Sequence, residues 1–273
     1  MNKLSIAQQA RVVACLAEGN SLRSTVRMTG IHRTTIQKLL VDLGRVCEAY
    51  QAEHLVNLSC KRIQCDEIWS FVGAKQKAVN AGAHGVGDVW TWTALCADTK
   101  LILSWQVGDR GADTAKGFMA DVAGRLANRV QLTTDGHKVY LDAVENAFGD
   151  DIDYAMLVKL YGNENRDGGE VRYSPAVCTG SKKTPVVGSP DPAHVSTSYV
   201  ERHNLTIRMS VRRFTRLTNA FSKKIENHAA AVALFIMYYN FCRIHQTLRV
   251  TPAMAAGVAD HVWSLEEVVG LLR

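Results

Sequence analysis

The chain lacks any Cys-x-x-Cys pair. Its seven cysteines (Cys15, Cys47, Cys60, Cys65, Cys96, Cys178 and Cys242) are scattered, and the spacing between Cys60 and Cys65 has no second pair to complete it. That pattern offers no paired-cysteine zinc site and points to buried thiols in a reducing compartment. No run reaches the ~18 apolar residues of a membrane span; the stretch from Ala229 to Tyr239 is too short, and Met1–Ser5 has no apolar signal core. Proline is scarce, with four of the five between residues 162 and 198. Acidic residues are nearly absent from 199–224, where Glu201 stands alone against Arg202, Arg208, Arg212, Arg213, Arg216, Lys223 and Lys224.

What is present fits a folded protein of one to three domains: 273 residues, 47% hydrophobic and 21% charged, with a formal charge of +6. The basic excess is local. A solvated helix usually alternates charge signs, because like charges at i,i+4 repel. The one-sided run after Glu201 therefore expects a polyanion, nucleic acid above all. An acid kept inside such a run suggests a metal ion at that surface.

Residues 1–45 read as three short helices: Ile6–Ala17 capped by Ser5, Leu22–Met28 capped by Ser21, a turn at Thr29-Gly30, and a helix from His32 through Leu43. This is a helix-turn-helix outline. Its last helix offers Arg33, Thr34, Thr35, Gln37 and Lys38 to phosphates and base edges. A small helical bundle or dimerisation arm fits the same pattern. Residues 46–60 read as a continuing helix and linker.

From residue 62 the period changes. Strands are expected from Ile63 to Phe71, Trp90 to Cys96 and Leu101 to Val107, then a helix over Ala112–Ala127 and a short strand at Val130–Thr134. A helix over Tyr140–Phe148 and a fifth strand at Ile152–Leu160 follow. That order is α/β: an RNase H-like mixed five-stranded sheet with flanking helices. Residues 162–198 break every period and read as a long loop, with a hairpin around Val171–Val177 and with Arg166, Lys182 and Lys183 able to clamp DNA. Beyond it, Ser196-Thr197-Ser198 caps a helix carrying Glu201, Phe221–Arg243 forms a long apolar helix, and 256–273 is a helical tail. Among lone residues, Asp98 reads as a turn residue, Asp113 or Thr114 as a helix cap, and the strand tryptophans 69, 90, 92 and 105 as core.

Three motifs stand in order: Cys65-Asp-Glu-Ile-Trp-Ser-Phe71, Leu132-Thr-Thr-Asp-Gly-His-Lys-Val-Tyr140 and Ser198-Tyr-Val-Glu-Arg-His-Asn204. A fourth follows at Tyr239-Asn-Phe-Cys-Arg-Ile-His-Gln-Thr-Leu-Arg-Val-Thr-Pro-Ala253. Over about residues 60–255 the chain resembles the DDE transposases of bacterial insertion sequences, most of all the insertion-sequence-one type, within the retroviral-integrase superfamily. The resemblance implies a catalytic domain over 61–255 and a metal-binding catalytic triad of Asp66, Asp135 and Glu201. It implies two Mg²⁺ ions, replaceable by Mn²⁺, and double-stranded DNA as partner, both element ends and target. It also implies water attack followed by attack of the freed 3′-hydroxyl, a homodimer or higher oligomer, and a bacterial cytoplasmic, nucleoid-associated location. Hard oxygen ligands suit Mg²⁺, and paired ions suit in-line displacement at phosphorus.

Arg208, two turns after Glu201, matches the basic residue that follows the glutamate in such proteins and is expected on a phosphate. Arg212, Arg213, Arg216, Lys223 and Lys224 extend that surface. Glu67 belongs to the other face of its strand and is expected to be a structural partner. His137, His203 and His245 are candidates for substrate contact, beside plain local hydrogen bonding. The gap from Asp135 to Glu201 is longer than the resemblance leads one to expect, and the zinc-binding cysteines of some relatives are absent. Two other readings remain open: a DNA-binding regulator without catalysis, and a nuclease that cuts without joining.

Overall fold

Strand β1 (Arg62–Val72) is the central element, and what lies on its two faces organises the rest. The computed structural model describes residues 4–79, 85–162, 177–215 and 219–273. Six strands form one mixed sheet in the order β3-β2-β1-β4-β5-β6, with β2 at Gly87–Cys96, β3 at Ile102–Gly108, β4 at Gln131–Thr134, β5 at Asp153–Gly162 and β6 at Val177–Val187. β1 and β4, and β4 and β5, run parallel; the other pairs are antiparallel.

Successive side chains alternate across a strand. Cys65 and Glu67 therefore face α4 (Ala112–Arg125) and α5 (Val139–Phe148), where Trp92 packs on Phe118 and Tyr140. Gln64, Asp66 and Ser70 face α6 (Ser198–Ser210) and α7 (Ile225–Met237). The result is a sheet with helices on both faces.

The N-terminal helices are α1 (Ile6–Ala17), α2 (Leu22–Thr29) and α3 (Arg33–His54). Ser5 and Gln8 form a capping box on α1, Ser21 caps α2, and Gly30 ends α2 at φ +72°. α3 runs on through residues expected to begin a linker and lies against α7. At the crossing a Cβ on Gly44 would stand 2.5 Å from the Ala230 Cβ, so only glycine permits the approach. α1 packs near α9 (Leu265–Gly270), beyond the short α8 (Pro252–Ala255). One buried apolar cluster runs from Ala10 and Val13 through Ile36, Leu40, Ile63, Trp92 and Phe235 to Val268 and Val269. The three helices thus share the core of the sheet.

Several expectations need correction. The sheet has six strands, and β6 occupies part of the segment expected as a loop. It is an edge strand, exposed at most of its described positions, so Pro185, Gly180, Lys182 and Lys183 are tolerated and no alternation appears. The hairpin expected at 171–177 and Arg166 lie outside the described residues, Val177 apart, which opens β6. α4 is entered by Gly111 with no side-chain cap; Asp109 instead accepts from the Gly111 N–H and the Thr114 hydroxyl. Of the four strand tryptophans only Trp92 is fully buried. The long apolar helix begins at Ile225 and passes into a π-helical turn at Tyr238–Cys242. Among the described residues no helix is long and apolar enough to cross a membrane.

Candidate active site

The register of β1 and β4 builds the site. Cys65 pairs with Thr134 in the parallel ladder, so the next residues, Asp66 and Asp135, emerge side by side at the carboxyl end of β4. Ligand sites in α/β sheets collect at such strand ends. Asp135 opens a turn in which its Oδ1 accepts from the His137 N–H at 2.9 Å. Carboxylate oxygens of Asp66, Glu67 and Asp135 lie within 4.8 Å of one another.

Asp66 is held from two sides. Its Oδ1 accepts from the Glu67 N–H at 2.9 Å and its Oδ2 from Asn204 Nδ2 at 2.8 Å. Burial, then the charges of Glu67 and Asp135, push its carboxyl up to about 7, with a smaller push from Glu201. Glu67 is also raised, first by burial and then by Asp135, while Arg110 opposes the shift. Glu67 pairs with Arg110 at 2.6 Å and accepts from the Tyr140 hydroxyl at 3.1 Å. Those are the structural contacts expected of it, yet its carboxylate also joins the cluster, because the α5 face meets the strand end there.

Glu201 stands outside that three-carboxylate cluster. It lies in the first turn of α6, where its Oε1 accepts from the Thr197 hydroxyl at 2.6 Å and its Oε2 pairs with Lys159 of β5. α6 is fixed to β1 by Gln64, whose Oε1 accepts from the N–H groups of Tyr199 (2.9 Å) and Val200 (3.1 Å). These are two of the first-turn donors that have no partner inside a helix. Asn204, one turn beyond Glu201, completes the connection to Asp66. The helix bearing Glu201 is thus tied to the strand bearing Asp66 at two points.

Gln64, Asn204, Lys159 and Arg110 were not singled out by sequence reasoning. Two of them carried a signal: Gln64 shares a strand face with Asp66, and Asn204 sits at i+3 from Glu201 on one helix face. His137 stacks near Trp92 with its Nε2 3.3 Å from the Arg110 carbonyl oxygen. His203 is buried between Tyr239 and Phe235, and burial lowers it to about 3. His245 is lowered mainly by burial.

The basic residues are distributed as follows. Arg33, Thr34, Thr35 and Lys38 are exposed on the first turns of α3 and Gln37 is half-buried there. Arg208 is half-buried in the last turn of α6, Arg212 and Arg213 follow it, and Lys223 and Lys224 are exposed before α7. Arg216 lies outside the described residues. Arg33, Gln37, Arg212, Arg213, Lys223 and Lys224 line one open cleft.

The fold is thus a mixed α/β sheet flanked by helices, with a carboxylate centre at a parallel strand pair. No family model matches the chain. It is similar to the insertion element iso-IS1n protein InsB of Shigella dysenteriae, 26% identical over 178 residues, which covers 65% of this chain and 95% of that protein. The resemblance to the insertion-sequence-one type, carried by the motifs around Asp66, Asp135 and Glu201, is therefore found again across most of the sequence. Among solved structures the chain is similar to piggyBac transposase in its synaptic complex with hairpin DNA, studied by cryo-EM. The TM-score is 0.41 at 13% identity, covering 98% of this chain and 69% of that one.

Proposed function

We propose that the chain is a DDE transposase that binds the ends of an insertion sequence, cuts them by metal-assisted hydrolysis and joins the 3′-hydroxyl ends to target DNA. The observation that carries this reading is the abutment of Asp66 and Asp135 at adjacent parallel strands, with the helix of Glu201 tied to β1 through Gln64 and Asn204. The likeness to an insertion-element protein supports it. In this reading the sheet and its helices are an RNase H-like catalytic domain over 61–255, preceded by a helix-turn-helix over 1–45 and followed by a helical tail at 256–273.

The donor set suits Mg²⁺: oxygen-only, hard and anionic. Among the described residues the one cation bonded to the cluster is Arg110, and it serves Glu67. Among the described residues no side-chain cation is bonded to Asp66 or Asp135, and a divalent ion would supply that positive charge. Asp66, Asp135 and Glu201 would hold the ions, Mn²⁺ serving in place of Mg²⁺. When bound, such ions activate the attacking oxygen and stabilise the leaving oxygen at phosphorus. Asn204 and the Glu67 N–H fix the orientation of the Asp66 carboxylate. Thr197 and Lys159 hold Glu201 at the rim of the site. The basic residues after α6 hold the DNA backbone, and pairing of two element ends calls for a dimer or higher assembly.

The test is strand transfer by the purified protein with Mg²⁺ and DNA bearing the element's ends. Asp66→Asn, Asp135→Asn and Glu201→Gln should each abolish cutting while end binding persists. Wild-type cutting in any of the three would remove that residue from the site. Cut but unjoined products from the unaltered protein would assign a nuclease.

A further inference from the structure

Six cations from two distant parts of the sequence converge on one cleft of about 720 Å³: Arg23 and Arg33 from the starts of α2 and α3, and Arg212, Arg213, Lys223 and Lys224 from the segment between α6 and α7. Among the described residues no carboxylate lines it. Gathering like charges in a concavity is unfavourable unless an anion of matching extent enters, because low-dielectric walls focus the field. Arg213 reinforces the point. It is half-buried, its guanidinium Nε donates to the Ser222 hydroxyl at 2.7 Å, and desolvation lowers its pKa to about 10.

Both walls are anchored to the rest of the fold. The turn between α1 and α2 rests on the end of α6, where a Cβ on Gly19 would come within 3.0 Å of the Ser210 carbonyl oxygen. The Tyr238 hydroxyl at the end of α7 donates to Glu18 at 2.7 Å. The other wall is stitched to the catalytic strand: Ser222 bridges Val72, and its carbonyl accepts from the Gly73 N–H at 2.8 Å. Val72 lies six residues along β1 from Asp66, about 20 Å at ~3.3 Å per residue. Half a turn of duplex DNA spans roughly that distance at ~3.4 Å per base pair.

We propose that this cleft is one composite site for the phosphate backbone of duplex DNA, gripped on one side by Arg23 and Arg33 of α2 and α3 and on the other by Arg212, Arg213, Lys223 and Lys224. The N-terminal helices and the cutting centre then hold the same duplex in a fixed relation, and the distance from grip to cut is set by β1. This rests on the reading of the protein as a DNA-cutting enzyme and adds where the duplex lies.

The test uses the full chain and a fluorescent duplex of random sequence of about 12 base pairs, roughly 40 Å long at ~3.4 Å per pair. Affinity is measured by anisotropy over a series of salt concentrations. Arg23→Ala should lower the log–log salt slope by about 0.9 and the pair Lys223→Ala, Lys224→Ala by about 1.8, with the triple variant losing about the sum. All three side chains are exposed, so the fold is retained. Lys116→Ala, on α4 at the opposite face of the sheet, should leave slope and affinity unchanged. If either Arg23→Ala or the lysine pair left both unchanged, the two walls would be separate surfaces and the composite site would be wrong. Tighter binding of an RNA duplex of equal length would also overturn it. Nicking by the unaltered protein beside Asp66→Asn, measured in parallel, tests the enzyme reading independently of the cleft.

Discussion

The amide of Asn204 donates to Asp66 Oδ2 at 2.8 Å, joining helix α6 to strand β1 at the carboxylate centre. Asn204 is buried and lies one turn past Glu201, so this bond orients Asp66 and sets where Glu201 stands relative to it. Partners of this kind typically change metal affinity or activity by about 10–100-fold when removed. Asn204→Ala should therefore raise the Mg²⁺ concentration needed for half-maximal cutting by that order. Asn204→Asp, which adds a fourth carboxylate, should do more damage. An unchanged metal dependence in both variants would reduce Asn204 to packing.

Stability should depend on pH through Asp66. Its carboxyl is pushed from 3.8 up to about 7, by burial first and by Glu67 and Asp135 next. The folded protein keeps this proton where the unfolded chain has released it. The contribution is complete below about pH 4 and is lost as pH rises from about 4 to 7, by at most ~1.4 kcal/mol per pH unit. In chelator, melting temperatures of the unaltered protein should fall across that window relative to Asp66→Asn, and Mg²⁺ should restore them at high pH. Parallel curves for the two proteins would contradict this.

The buried histidines act in the opposite sense. His203 and His228 are each lowered to about 3, chiefly by burial, so both stay neutral in the folded state while the unfolded chain takes up protons below about 6.5. Stability is lost as pH falls from there. No hydrogen-bond partner of either His203 ring nitrogen occurs among the described residues. His203→Phe should thus raise stability at pH ~5 by up to about 2 kcal/mol and change it little at pH ~8. Equal shifts at both pH values would place the effect in packing alone.

Gly44 sets the approach of α3 to α7. Its missing side chain leaves room for Ala230, and any larger residue must push the helices apart. Gly44→Val should destabilise by about 1–3 kcal/mol or more, as overpacked cores do. Chemical denaturation measures this; a neutral result would mean that the helix pair is loosely packed.

Much of the architecture was legible in the sequence because burial writes itself as periodicity. α1 begins and ends where its apolar spacing and the Ser5 cap put it, and β4 stops at Thr134, immediately before Asp135. β6 was not legible. An edge strand exposed to solvent needs neither alternation nor freedom from proline, so its residues look like a loop. The joint membership of Glu67 and Asp66 in one carboxylate cluster was hidden for another reason. Strand alternation assigns them to opposite faces, and only the strand end, where Asp135 arrives from β4, lets both carboxylates meet. Gln64 and Asn204 share a strand face and a helix face with the acids, but their bonds become legible only when α6 is laid across β1, since the partners lie more than a hundred residues apart.

Glu67 and Glu201 offer the most direct test of the whole account, since one joins the carboxylate cluster by position and the other is assigned to the chemistry. Mg²⁺-dependent cutting of DNA bearing the element's ends should be compared in Glu67→Gln and Glu201→Gln. The account predicts that Glu201→Gln abolishes cutting with the fold intact, whereas Glu67→Gln loosens Arg110 and Tyr140, lowers stability and leaves cutting measurable. Full activity in Glu201→Gln together with none in a folded Glu67→Gln would contradict it and move the third ligand from α6 to β1.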